Sequence, residues 1–241
     1  MKRIDYAFTR MPAQWIRDGK LTLFQGGSML GTSVTALKLY IAILSEIRSD
    51  DNGPGFGRAR LTFSDLEERT GAARAMIAPA LEFLRPWVST TRSRSGNVYE
   101  IVDFTTKPGA WVRLPAEYIR TSRALHAFPS RSSVSLSAMK MYLYLLERCE
   151  RRSTFAKASY PKIREIAGVL QNNIPRAIVA LGAADLIRAS TARRAGDTDS
   201  HGHNVYYLLG LGPKVANNTE LDNSAFAVAG VPDEMSQGEW L

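Results

Sequence analysis

Gln171, Asn172, Asn173 and Arg176 fall within six residues, a grouping of amide and guanidinium side chains that can each make two hydrogen bonds to one planar partner. Such groups can read base edges. Arginine matches the O6 and N7 acceptors of guanine, and asparagine or glutamine matches N6 and N7 of adenine, each good pair contributing about 1–3 kcal/mol of discrimination. Roughly 100 residues upstream, Arg74 and Met76 occupy a comparable stretch, where Arg74 alone suits that contact. A second set has a different chemistry. Arg92 and Arg94 alternate with serines, and Arg188, Arg193 and Arg194 stand in a polar run, which suits charge-plus-hydroxyl contacts to phosphates. Lys162 and Arg164 are weaker additions to the same set.

The charge distribution agrees with a polyanionic partner. The 241 residues carry 31 Lys plus Arg against 23 Asp plus Glu, a formal charge of +8. Residues 212–241 hold one base (Lys214) and five acids (Glu220, Asp222, Asp233, Glu234 and Glu239), so residues 1–211 carry 30 bases against 18 acids, or +12. A basic body of that size favours nucleic acid or an acidic surface. With 45% hydrophobic and 22% charged residues, the chain has material for a packed core. No apolar run reaches the roughly 18–20 residues of a membrane span, and no apolar signal segment follows Met1-Lys2-Arg3, so the expectation is a cytoplasmic protein with no membrane partner.

The elements that must position these side chains repeat once. A lead-in, Phe8-Thr9-Arg10-Met11-Pro12-Ala13-Gln14-Trp15-Ile16, answers to Trp111-Val112-Arg113-Leu114-Pro115-Ala116-Glu117-Tyr118-Ile119. A helix starting at Thr35 answers to one starting at Ser137, each with the hydroxyl residue as its cap and apolar residues at helical spacing. Next, Phe63 to Leu84 aligns without a gap on Tyr160 to Leu181, pairing Gly71 with Gly168, Ile77 with Ile174 and Ala80 with Ala177. Each copy reads as a short helix begun by Ser64 at its N-cap or Pro161 at its first turn, a turn at the glycine, and a second helix. Last comes a hairpin. Trp87–Thr91 returns as Asn97–Val102 around Arg92–Gly96, and Leu186–Ala189 returns as Asn204–Leu208 around a longer segment, both return strands opening Asn-Val-Tyr.

Helix, helix-turn-helix and hairpin, twice over, resemble the winged helix-turn-helix units of bacterial and phage DNA-binding proteins. Two such units in about 210 residues, each led in by Arg-x-Pro, are similar to the plasmid and mobile-element replication initiators built from tandem winged-helix domains. The resemblance implies an α+β, mainly α fold of two pseudo-repeated winged-helix domains, residues 1–106 and 107–211, followed by an acidic, disordered tail over 212–241. It implies a second helix in the major groove and a hairpin tracking phosphates on double-stranded DNA. It leaves open a transcriptional regulator of the same architecture, a protein-interaction module of a segregation complex, a homodimer, and a tail that meets replication or transcription machinery.

Two local readings stay open. One of Asn172 and Asn173 caps a helix whose first turn holds Pro175, or both face the groove. Pro79, deeper in its helix, makes that helix start late or kink.

Other features are expected to carry no chemistry. Gly26-Gly27-Ser28-Met29-Leu30-Gly31-Thr32-Ser33 lacks the lysine of a phosphate loop and reads as a plain loop. His201-Gly202-His203 lacks partners at ligand spacing, and Asp50-Asp51-Asn52-Gly53 lacks the later carboxylate of a calcium loop. The single cysteine, Cys149, excludes disulfides and cysteine-pair zinc sites and reads as a small apolar residue. No enzyme, cofactor or metal is expected.

Overall fold

The structure, a computed structural model, describes residues 8–47, 55–93, 96–150, 153–190 and 204–212. Strand β1 (Thr9–Pro12) leads to α1 (Gln14–Arg17), a 3-10 turn at Lys20–Leu23 and α2 (Leu30–Glu46). Strand β2 (Arg58–Leu61), helices α3 (Phe63–Thr70) and α4 (Arg74–Phe83), and the hairpin of β3 (Val88–Ser93) and β4 (Gly96–Ile101) complete the first repeat. The order then recurs: β5 (Trp111–Leu114), α5 (Ala116–Ser122), a 3-10 turn at Ala124–Ala127, α6 (Ser133–Arg148), β6 (Phe155–Ala158), α7 (Tyr160–Ala167), α8 (Ile174–Ala183), β7 (Ile187–Ser190) and β8 (Asn204–Leu208). The fold is α+β and mainly helical, with antiparallel sheets ordered β2-β4-β3 and β6-β8-β7.

The repeats meet through their lead-ins. Strand β1 pairs antiparallel with β5, placing Arg10 opposite its own counterpart Arg113, and Thr9 opposite Leu114 where Met11 is opposite Val112. A register in which equivalent residues face each other is that of a local twofold axis, here passing between Arg10 and Arg113. Helices α2 and α6 pack on each other beside it, buried around their whole circumference over Ser33–Ser45 and Ser135–Leu146, and one continuous apolar cluster runs through both repeats. The segment Gly27–Glu46 is the one described stretch long and apolar enough to cross a membrane, which the sequence reading did not anticipate, and two thirds of it is buried inside the molecule as a core helix.

Other contacts cross the axis reciprocally. The Lys38 amine donates to the Phe128 carbonyl at 3.0 Å and the Lys140 amine to the Phe24 carbonyl at 3.1 Å. The 3-10 turn of each repeat lies against the interhelical glycine of the other. Gly71 has φ +62° and a Cβ there would stand 3.0 Å from the His126 ring; Gly168 has φ +61° and a Cβ would stand 3.0 Å from Thr22 Cγ2. His126 Nε2 also lies 2.6 Å from the Glu68 carbonyl at the end of α3. Salt bridges follow suit, from Arg17 to Glu147 at 2.9 Å and from Arg120 to Glu46 at 3.9 Å.

Several local expectations shift. Helix α2 begins at Leu30, so Thr35 is buried inside it, and α6 is capped by Ser132, whose hydroxyl accepts from Ser135 N–H at 3.2 Å, five residues before Ser137. The segment expected as a loop is helical from Gly27 onward, and a close neighbour accounts for the glycine in it: a Cβ on Gly31 would stand 3.1 Å from the Met76 methyl. Helix α3 starts one residue before Ser64. Thr62 Oγ1 accepts from Asp65 N–H at 3.1 Å while the Asp65 carboxylate accepts from Thr62 N–H at 2.7 Å, a reciprocal cap that holds the Asp65 carboxyl below its usual range. Pro161 sits second in α7, behind Ser159 at the N-cap. Pro79 leaves α4 unbroken from Arg74 to Phe83. The repeated Asn-Val-Tyr has a physical basis, since Asn97 Nδ2 donates to Tyr99 Oη at 3.2 Å and Asn204 Nδ2 to Tyr206 Oη at 3.3 Å, and both tyrosines are fully buried.

Candidate nucleic-acid interface

In the second repeat, α7 ends at Gly168, the chain turns, and a 3-10 turn at Gln171–Asn173 runs directly into α8. Ile174, Ala177 and Leu181 bury the inner stripe of α8 against α6, which leaves the positions between them outward. Gln171, Asn172, Pro175 and Arg176 are exposed, and Asn173 is half-buried. Asn173 occupies the N-cap position of α8, yet its side chain makes no cap hydrogen bond. The capping reading therefore does not consume either amide. Val179, one turn beyond Arg176, is 71% exposed, and Leu170 in the turn is 64% exposed. Sequence reasoning passed over both because it sought polar groups, although the spacing from Arg176 to Val179 places them on one helix face.

The equivalent surface of the first repeat is chemically poorer. Ala75, Ala78, Pro79 and Glu82 form the exposed row of α4. Arg74 is exposed but turned back on α3, with Nη1 at 3.0 Å from Glu67 Oε2 and its guanidinium 5.6 Å from the centre of the Phe63 ring. Met76, expected outward, is half-buried with its methyl against Gly31 of α2. Its position follows from the earlier start of α2, which the sequence pattern hid.

Arg92 is exposed on β3, opposite Asn97 of β4. Strand pairing continues to Ser93 and Gly96, so both strands run further than the Thr91 and Asn97 bounds expected from sequence. Arg94, Arg193, Arg194 and His201–His203 lie outside the described residues, as does all of the tail beyond Gly212. Arg188 is exposed near the base of the second hairpin, opposite Tyr207, and its charge acts on the Tyr118 phenol beside Asp185. Lys162 is exposed and pairs with Glu165 at 2.8 Å along α7, two residues before the exposed Arg164. The structure thus joins Gln171, Asn172 and Arg176 on one continuous surface and holds Arg74 and Met76 away from any comparable row.

The edge strand β2 adds two exposed cations that sequence reasoning did not single out, Arg60 and Arg58, the latter 3.1 Å from Glu100. Among the described residues no group of three His, Cys, Asp or Glu side chains could hold a metal ion. Cys149 ends α6, where its thiol donates to the Ser153 carbonyl at 3.3 Å and burial pushes its pKa up. No family model matches the chain and no curated protein matches it.

Proposed function

We propose that the chain is a sequence-specific double-stranded DNA-binding protein in which each repeat acts as a winged helix, and that it initiates replication of a plasmid or other mobile element. The observation that carries the DNA reading is the outward row on the 3-10 turn and α8, where Asn172, Arg176 and Val179 offer a bidentate amide, a bidentate guanidinium and an apolar contact suited to a thymine methyl. Support also comes from the excess of 30 bases over 18 acids across residues 1–211 and from Arg92 on the first hairpin. The tandem arrangement and the Arg-x-Pro lead-ins, which resemble those of replication initiators, favour the initiator role. Transcriptional regulation by the same contacts is the neighbouring alternative.

A second reading draws on α4. Its row of Ala75, Ala78 and Pro79, with Arg74 drawn back onto Glu67, suits a protein surface better than a groove of bases. On that reading α8 reads DNA and α4 meets another protein. The test is selection from a random duplex pool by the full chain, followed by footprinting of the recovered site. Enrichment of a defined site, with α8 substitutions altering its sequence, is the expected result. Direct repeats beside an AT-rich stretch favour an initiator, and an operator over a promoter favours a regulator. A pool that shows no enrichment at any salt concentration overturns the proposal.

A further inference from the structure

The last described residues, Leu208 to Gly212, run alongside the start of β6. Leu208 N–H donates to the Thr154 carbonyl at 2.7 Å, Leu211 is buried, and a Cβ on Gly212 would stand 3.9 Å from Thr154 Cγ2. Gly212 thus lies beside Thr154, the residue that precedes β6. Strand β6 is the edge of its sheet, and along it runs an open groove of about 1030 Å³ between the end of α6 and the start of α7. Phe155, 38% exposed, and the half-buried Ile166 supply its apolar surface. Arg148, Lys157 and Lys162 are exposed cations along it, Lys162 also paired with Glu165, while of its two carboxylates Glu147 is engaged by Arg17.

We propose that residues 220–229 of this same chain dock in that groove as an added strand on β6. The segment Glu220-Leu221-Asp222-Asn223-Ser224-Ala225-Phe226-Ala227-Val228-Ala229 has two carboxylates followed by an apolar run in which Phe226 and Val228 share one face of a strand. The Phe155 N–H and carbonyl are already bonded to the Ser153 hydroxyl, so the main-chain hydrogen bonds to the added strand run through Lys157, the other outward-facing residue of β6, and side-chain pockets give the register. Here the Phe226 ring meets Phe155 and Ile166, and Glu220 and Asp222 meet Lys157 and Lys162. The seven residues from Pro213 to Thr219 are a short tether, with a root-mean-square span of about 15 Å if fully flexible. Such a tether holds the segment at a millimolar local concentration, so weak intrinsic affinity suffices. Residues 213–241 carry one base against five acids, in keeping with a basic groove.

Docking covers Lys162, one of the cations assigned to phosphate contact, so the segment competes with DNA. That consequence rests on the function proposed above; the docking itself does not. The first experiment therefore reads docking without DNA. In the full chain carrying Cys149→Ser and Ala227→Cys, a nitroxide on residue 227 should broaden the amide signals of Phe155, Lys157 and Lys162, and adding Phe226→Ala with Val228→Ala should restore them. Absence of broadening, broadening centred elsewhere, or broadening that survives the double substitution overturns the proposal. So does broadening seen only between differently labelled molecules, which would mean a neighbouring copy's segment fills the groove. The second experiment adds DNA. Phe226→Ala with Val228→Ala in the otherwise native full chain should tighten binding to a random-sequence duplex three- to tenfold at low salt. Unchanged affinity despite confirmed docking overturns the competition, and absence of DNA binding by either form overturns the proposed function while leaving the spin-label result standing.

Discussion

Lys38 and Lys140 are the same residue in the two repeats, and each buries its amine on a backbone carbonyl of the opposite repeat, Phe128 for one and Phe24 for the other. Lys140 also reaches the carbonyl of Gly168 at 3.3 Å, tying the central helix to the turn between α7 and α8. Both amines are desolvated, which lowers their pKa from 10.5 to about 8.

That depression sets a direction with pH. Between pH 8 and 10 the unfolded chain keeps protons on these amines that the folded chain has released, so stability rises with pH across that window, by about 2 kcal/mol for each lysine by pH 9.5. Above pH 10 the effect reverses, because burial raises the phenol pKa of Tyr40 and Tyr142 and the folded chain then holds the extra protons. The urea midpoint of the parent should be higher at pH 9.5 than at 7.5, and Lys38→Met with Lys140→Met should flatten that difference. An equally steep rise in the double variant would place the titration on other groups.

The interhelical glycines should be the least replaceable residues of the two turns. Gly71→Ala or Gly168→Ala forces a left-handed backbone costing about 1–2 kcal/mol and adds the clash with His126 or Thr22. Gly19 is the internal control, since it has φ +69° with open space around its Cβ position. Gly19→Ala should lower the melting temperature clearly less than either turn substitution. Equal losses at all three sites would mean the cross-repeat contacts add nothing.

The cap of α3 gives a local prediction. Thr62→Ala removes the acceptor for Asp65 N–H and should cost about 1 kcal/mol in chemical denaturation, whereas Ser64→Ala, at the position favoured by sequence, should cost less. A larger loss at Ser64 would contradict the assigned helix start.

For DNA, two classes of variant should separate. Arg92→Ala with Arg94→Ala should weaken binding to all duplexes alike and reduce the magnitude of the salt slope by about 2. Arg176→Ala should relax preference at one base pair at a cost of about 1–3 kcal/mol, and Val179→Ala should reduce discrimination of thymine from uracil at a neighbouring position. Gel shifts across a salt series, with deoxyuridine-substituted sites, measure both. A uniform loss for Arg176→Ala would move it to the phosphate class.

The repeat, the order of elements, the inward stripes of α4 and α8 and both glycine turns were legible because they are local patterns of spacing. Helix starts were less so. Gly31 and Ser33 read as loop, yet both lie inside α2, Gly31 against the Met76 methyl and Ser33 fully buried. The contacts that join the repeats left no local trace, since His126 reaches Glu68 across 58 residues and Lys140 reaches Phe24 across 116. Of the candidate site, the outward position of Asn172 and Arg176 was legible from spacing, while the retreat of Arg74 onto Glu67 depends on a neighbour seven residues away across a turn.

The pairing of Arg10 with Arg113 has an evolutionary corollary. An interface in which each residue meets its own equivalent is isologous, the kind that two identical subunits form when they associate. Carried within a single polypeptide, it no longer depends on protein concentration and no longer obliges its halves to stay alike. Each copy is then at liberty to change its exposed side chains independently, as the differing outer rows of α4 and α8 illustrate.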